Sequence, residues 1–195
     1  AALRTLTVTF VGGLVLLAFA AQPAFADARS QAKRLHDRIA GVPASPAVLD
    51  DMAADIAAGR TIDAAYTAME NRSFYDVTLK NFAMPWTNRD QTMFAPLNDY
   101  VATVIGMVRD DVPFNAVLSD DILYVGSGVG GAPAYSPSSN AHYEALEAAG
   151  ANLKTALVRT TQSSAAGLPS DATAGVLTTR AAAQAFFIAG TNRAM

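Results

Sequence analysis

The sequence predicts an all-α protein: an irregular multi-helix bundle with long Gly/Pro/Ser loops, preceded by an apolar amino-terminal signal or anchor helix. Three observations lead there. The 51% hydrophobic content is carried heavily by alanine, the strongest helix former, which favours small-residue helix contacts over a dense aromatic core. Apolar residues recur at steps of three and four through most of the chain, the spacing that gathers them on one helical face. Caps and Pro or Gly stops separate these runs at intervals of roughly 10 to 14 residues, the usual arrangement of short-looped bundles.

Thr5 to Ala21 is an uncharged apolar run preceded by Arg4, and Ala24-Phe25-Ala26 follows with the small-x-small form of a signal-peptidase site,. The run is short for a bilayer span, which needs ~17 to 25 residues, so export with cleavage before Asp27 is expected. Retention as a membrane anchor through residues 5–21 is the alternative. It would put Arg29, Lys33, Arg34 and Arg38 on the side of the membrane that the positive-inside rule disfavours,. Removing residues 1–26 takes the net charge from −3 to −4 with the loss of Arg4. With charges of both signs interspersed, no electrostatic footprint for nucleic acid exists. The absence of cysteine excludes disulfides, thiolate metal sites, a lipobox anchor and covalent c-type haem within these 195 residues,.

From Asp27 to Ile39 the pattern predicts a charged helix with Ala32, Leu35 and Ile39 on one stripe and His36 solvated. Ser45 and Pro46 read as N-cap and first residue of the next helix, whose stripe is Val48, Leu49, Met52 and Ile56 and whose stop is Gly59,. Thr61 is expected to cap a helix through Ala64, Ala65, Ala68 and Met69. Ser73 then opens a helix with Phe74, Val77, Leu79 and Phe82 inward, ended by Pro85,. Asn98 caps the central helix, which buries Leu97, Val101, Val104, Ile105 and Val108, while Asp99 sits favourably in its first turn,. Pro113 opens a shorter helix over Phe114, Val117 and Leu118.

Asp120 to Val125 has the composition of a strand, and Gly126-Ser127-Gly128-Val129-Gly130-Gly131 spells a dinucleotide fingerprint. That fingerprint needs a helix opening at its last glycine, and Pro133 and Pro137 forbid one, so residues 126–139 read as a flexible Gly/Pro/Ser loop. Ser138 or Ser139 caps a helix through Tyr143 and Leu146 to Gly150, with His142 a structural histidine in its first turn. An amphipathic segment with Leu153, Leu157 and Val158 follows. The last helix starts near Thr179 and carries Ala182, Ala183, Phe186, Phe187 and Ala189. The predicted organisation is therefore residues 1–26 as signal or anchor, 27–125 as an amino-terminal helical domain, 126–139 as a loop, and 140–195 as a carboxy-terminal helical segment that reads as truncated.

No nucleophile and base pair recommends an enzyme, and no metal site is expected. The pairs Asp50-Asp51, Asp110-Asp111 and Asp120-Asp121 read as solvated helix-end charges, because adjacent side chains on a helix diverge by roughly 100°,. The candidate partner-binding residues are Trp86, Asn88, Arg89 and Asp90, a loop holding the only Trp of the chain,. Two readings of the indole compete. As a buried pin it would lie on Phe82 and Met84 with an Arg89-Asp90 pair closing the loop; as an exposed anchor it would engage a partner.

Three stretches carry a family resemblance. Arg38-Ile39-Ala40-Gly41-Val42-Pro43-Ala44-Ser45 is similar to a basic helix followed by Gly-x-Pro-Pro-Thr/Ser, with Ala44 in place of the second proline. Ile105-Gly106-Met107-Val108-Arg109-Asp110-Asp111-Val112-Pro113-Phe114 is similar to a Val-Arg-Asp run leading to Pro-Phe. Ala174-Gly175-Val176-Leu177-Thr178-Thr179 with Thr191-Asn192-Arg193 is similar to an Ala-Gly-Leu-Leu-Thr helix and a later Arg-bearing turn. In this order they resemble the planctomycete-type cytochrome c-associated family, exported helical domains of unknown function that precede a c-type haem domain. The resemblance implies a periplasmic, non-haem helical portion of a cytochrome-associated protein with electron-transfer or scaffold roles and other protein subunits as partners. It places the haem-binding Cys-x-x-Cys-His beyond Met195. The alternative is an accessory subunit of a membrane complex, tethered to the inner membrane by an uncleaved amino-terminal helix.

Overall fold

The computed structural model describes residues 27–187; the expectations for the apolar run, the cleavage site and residues 188–195 lie outside the described residues. The described residues are mostly helical, with one small two-stranded sheet among them. Helix α1 spans Ala28–Ala40, α2 Pro46–Ala57 and α3 Thr61–Met69. Their caps explain their bounds. Asp27 accepts the Ser30 amide at 2.8 Å, Gly41 closes α1 in the left-handed conformation, and Ser45 accepts the Val48 amide ahead of Pro46,. The three helices gather Ala32, Met52, Ala64 and Ala68 into one apolar cluster. His36 is buried there rather than solvated, only 1% exposed, with Nδ1 2.9 Å from the Val42 carbonyl. It ties α1 to the turn that follows.

The next helix is not regular. Phe74–Leu79 is a π-helical stretch, α4 is Lys80–Ala83, and Met84–Thr87 closes as a 3-10 turn that holds Pro85. The wide π turn changes the inward face. Tyr75, Leu79, Ala83 and Met84 are buried, while Val77 and Phe82, expected inside, are exposed. Ser73 makes no side-chain cap; its amide is instead bound by Asn71 Oδ1 at 3.0 Å.

Helix α5, Asp99–Arg109, is the centre of the molecule. Asn98 caps it as expected, accepting the Val101 amide at 3.1 Å. Buried residues run without a break from Asp99 to Met107, so α5 is covered on every side, and its stripe pattern understated its burial. Asp99 is only 2% exposed. Gly106 leaves room for the Tyr124 ring, which a Cβ there would overlap.

Phe114–Leu118 is a 3-10 turn with Phe114 and Leu118 exposed and Ala116 buried. Strand β1, Leu123–Gly126, pairs antiparallel with β2, Leu157–Thr160, with Tyr124 opposite Arg159. This sheet departs from an all-α chain: aromatic and β-branched side chains fit a pleated surface better than a helix, and α7, Leu153–Ala156, is only one turn long before β2 begins. Helix α6, Ala141–Ala148, precedes it; α8, Gln162–Ala166, and α9, Arg180–Ala182, follow, with a π-helical stretch over Ala183–Phe187. Phe186 and Phe187 are exposed.

The main core contains residues from Tyr75 to Ala182, so segments on both sides of the 126–139 loop share it. That loop is anchored at its start and its middle by buried His142, whose Nδ1 donates to Pro133 O (2.6 Å) and whose Nε2 accepts the Gly126 amide (2.8 Å). No helix opens at Gly131, so the fingerprint lacks its phosphate-holding turn,. Among the described residues no helix is long and apolar enough to cross a membrane.

Candidate functional site

The loop that follows α4 is built by amides and hydroxyls. Asn98 Nδ2 donates to Thr87 Oγ1 at 2.9 Å, and Thr87 in turn donates to the Met84 carbonyl at 2.8 Å, so the α5 cap and the 3-10 turn form one buried polar network. Asn88 continues it. Its Nδ2 donates to Met84 O and Thr92 O, and its Oδ1 accepts the Thr92 amide. These bonds hold Gln91 in the left-handed region at φ 51°. Asn88, expected to face a partner, spends its amide on organising the loop.

The indole is not a buried pin. Trp86 is 48% exposed and Phe82 55%, and their rings lie 5.2 Å apart at 55°. Phe82, the proposed bed for Trp86, is itself on the surface because the π turn rotated it outward. Arg89 and Asp90 are exposed and form no ion pair with each other or with any described residue. Met93 and Phe94, further along the same loop, are exposed as well, Phe94 at 87%.

Beside the loop lies an open cleft of about 520 Å³. Thr87, Asn88 and Arg89 form one side, Asn140 just before α6 and Glu144 within it form another, and the α9 turn contributes Arg180. Of the four candidate residues, the structure brings Asn88 and Arg89 to this cleft; Trp86 lies on the outer face and Asp90 is not part of its lining. Asn140, Glu144 and Arg180 were not foreseen. They come from segments 51 to 93 positions away in a chain whose sequence pattern says nothing of their approach.

Long-range bonds fix that approach. Leu97 is gripped from both sides: its amide donates to Glu147 Oε2 at 2.8 Å and its carbonyl accepts Asn140 Nδ2 at 2.8 Å. Glu147 is also paired with Lys80. Burial pushes the Glu147 carboxyl up, but the Lys80 ammonium and the Leu97 amide outweigh it and hold the group below its ordinary value. On the opposite wall, Asp99 Oδ2 accepts the Arg180 amide at 2.6 Å, and Oδ1 accepts those of Ala181 (3.0 Å) and Tyr100 (2.9 Å). Burial nevertheless raises the Asp99 carboxyl above its usual range, the three amides and Arg180 opposing. Asp99 thus caps α9 across the fold. The Arg180 guanidinium is left for the cleft.

The acidic pairs are structural in part. Asp110 is paired with Arg109 at 2.6 Å and accepts the Tyr124 hydroxyl at 2.7 Å, which holds its carboxyl low. Asp50 pairs with Arg29, and Asp121 accepts from Ser163. Among the described residues no group of three or more His, Asp or Glu is placed to hold a metal ion. No protein-family model, no curated protein and no solved structure matches this chain.

Proposed function

We propose that the chain is the non-haem helical portion of an exported, cytochrome-associated protein, and that it works as a scaffold that docks another subunit. The observation that carries the docking is the exposed Phe82-Trp86 pair, with Met93 and Phe94 also exposed a few residues further along the chain. Large aromatics at a surface are the side chains that most often anchor protein contacts, because they bury much area at little conformational cost. The loop that presents them is already ordered by Asn88, so little entropy is lost on docking,.

The cytochrome association rests on the three short sequence stretches, and their structural roles give them a common logic. In the first, Gly41 and Ser45 end one helix and start the next. In the second, Arg109 donates to Leu157 O at 2.6 Å and to Lys154 O at 3.2 Å, joining α5 to β2. In the third, Gly175 packs on the Val117 carbonyl with no room for a Cβ, and Val176 donates to that carbonyl at 2.8 Å. All three set how neighbouring elements meet, which suits a scaffold more than a catalyst.

A photo-crosslinking side chain at position 86 in the cell of origin tests this. An adduct that stains for covalent haem is expected. A haem-free adduct would keep the docking face and remove the cytochrome association; no adduct at all would remove the docking face.

A further inference from the structure

We infer that the cleft between the Asn88-Arg89 turn, α6 and α9 binds a small carboxylate that also carries a hydrogen-bond donor, in the manner of an acidic amino acid. Its volume of about 520 Å³ falls in the ~300 to 1,000 Å³ range of small-molecule sites. Arg89 and Arg180 both line it, and neither guanidinium has an ion-pair partner among the described residues. Guanidinium groups present planar forks that match a carboxylate, and two at one cleft draw an anion inward.

Glu144 supplies the opposite pole. Its Oε1 accepts from Asn140 at 3.1 Å, which orients the carboxylate and leaves Oε2 to take a donor from the ligand. Two arginines against one glutamate select a ligand of net negative charge with an amine or hydroxyl. Ala95, Pro96 and Ala185 give the cleft an apolar side suited to a short aliphatic chain. The Arg180 backbone amide is already held by Asp99, so the guanidinium that meets the ligand is on a fixed turn. Arg180 and Gln184 also line a neighbouring recess of about 420 Å³, room for a chain attached to the ligand. The carboxylate therefore belongs either to a free acid or to a polypeptide carboxyl terminus.

This site is separate from the Phe82-Trp86 docking face and does not rest on it. The test is a calorimetric titration of the full chain with L-glutamate, with glutarate, which lacks the amine, and with a short glutamate-ended peptide in free and amidated forms. Saturable binding of glutamate or the free-ended peptide is expected. Arg89→Gln and Arg180→Gln should each weaken it about tenfold or more, the scale of a lost charge-assisted bond, and Glu144→Gln should erase the preference for glutamate over glutarate. Both arginine variants keep every backbone bond of the turn, and an unchanged melt will show it. Tighter binding of the free-ended peptide assigns the site to a polypeptide terminus, and tighter binding of glutamate to a free acid. No saturable heat with any probe, or equal affinity in the arginine variants, overturns the inference. Trp86→Ala should leave it intact.

Discussion

Asp99→Asn tests the contact by which α5 holds the α9 turn. The side chain keeps its size but exchanges one accepting oxygen for an NH2 donor, while the amides of Tyr100, Arg180 and Ala181 all point at it. At least one buried amide then loses its acceptor, at about 1 to 3 kcal/mol. The loss is local to the α9 turn, so exchange of the Arg180 and Ala181 amides should quicken by roughly 5- to 150-fold, since 1.4 kcal/mol is a factor of ten. A pH series separates geometry from charge. Burial raises the Asp99 carboxyl in the folded state, so its contribution is fully present below the unfolded value and fades as pH rises through the folded one. The gap between wild type and the asparagine variant should therefore narrow as pH climbs from about 4, the ordinary aspartate value. Melts of both proteins over that window measure it. A gap that widens with pH would mean that the three amides outweigh burial and that the sign assigned to Asp99 is wrong.

Three further outcomes are expected. Val104→Asp puts an unpaired charge into the centre of the core, where Val104 is 2% exposed, and should cost several kcal/mol and abolish the cooperative melt seen by circular dichroism. Trp86, the only Trp, should emit at long wavelength and be quenched readily by iodide. Trp86→Ala should cost about 1 to 2 kcal/mol from half-buried area, short of the ~3 to 5 of a fully buried aromatic; a blue-shifted, protected emission would restore the buried pin. Gly106→Ala drives a methyl into the Tyr124 ring and should cost about 1 to 3 kcal/mol in a chemical melt despite the better helix propensity of alanine.

What was legible in the sequence was local. Ser45 before Pro46, Asn98 before the central run and Gly150 after α6 each act within one turn of where they stand, and the helices begin and end close to them. Faces were harder. Over residues 74–83 the apolar side chains Phe74, Val77, Leu79 and Phe82 suggested one stripe; Leu79 is inward, but the π-helical turn sets Tyr75 and Ala83 inward with it and leaves Val77 and Phe82 exposed. A wider turn changes the angle between successive side chains, and no residue type announces it. His36 was misplaced for a related reason: its charged neighbours suggested solvent, but α1 turns it toward the Val42 carbonyl. The strand composition of Asp120 to Val125 was visible and overlaps β1, but its partner was not, since β1 and β2 pair across more than thirty positions,.

The candidate site shows the same division. Trp86, Asn88, Arg89 and Asp90 were found as neighbours in sequence, and two of them reach the cleft. Its other charged walls, Glu144 and Arg180, arrive through bonds made by residues beside them, Asn140 and Asp99, to Leu97 and to the α9 amides. Those two positioning residues flank the Asn98 cap of α5 in space. The cap thus does more than start a helix: through Thr87 it fixes the loop, through its neighbour Leu97 it holds α6, and through its neighbour Asp99 it holds α9. Three walls of the cleft hang on three consecutive residues, Leu97, Asn98 and Asp99. A change at any of these should therefore alter the cleft before it alters the distant cluster of α1, α2 and α3, whose apolar residues belong to a separate core.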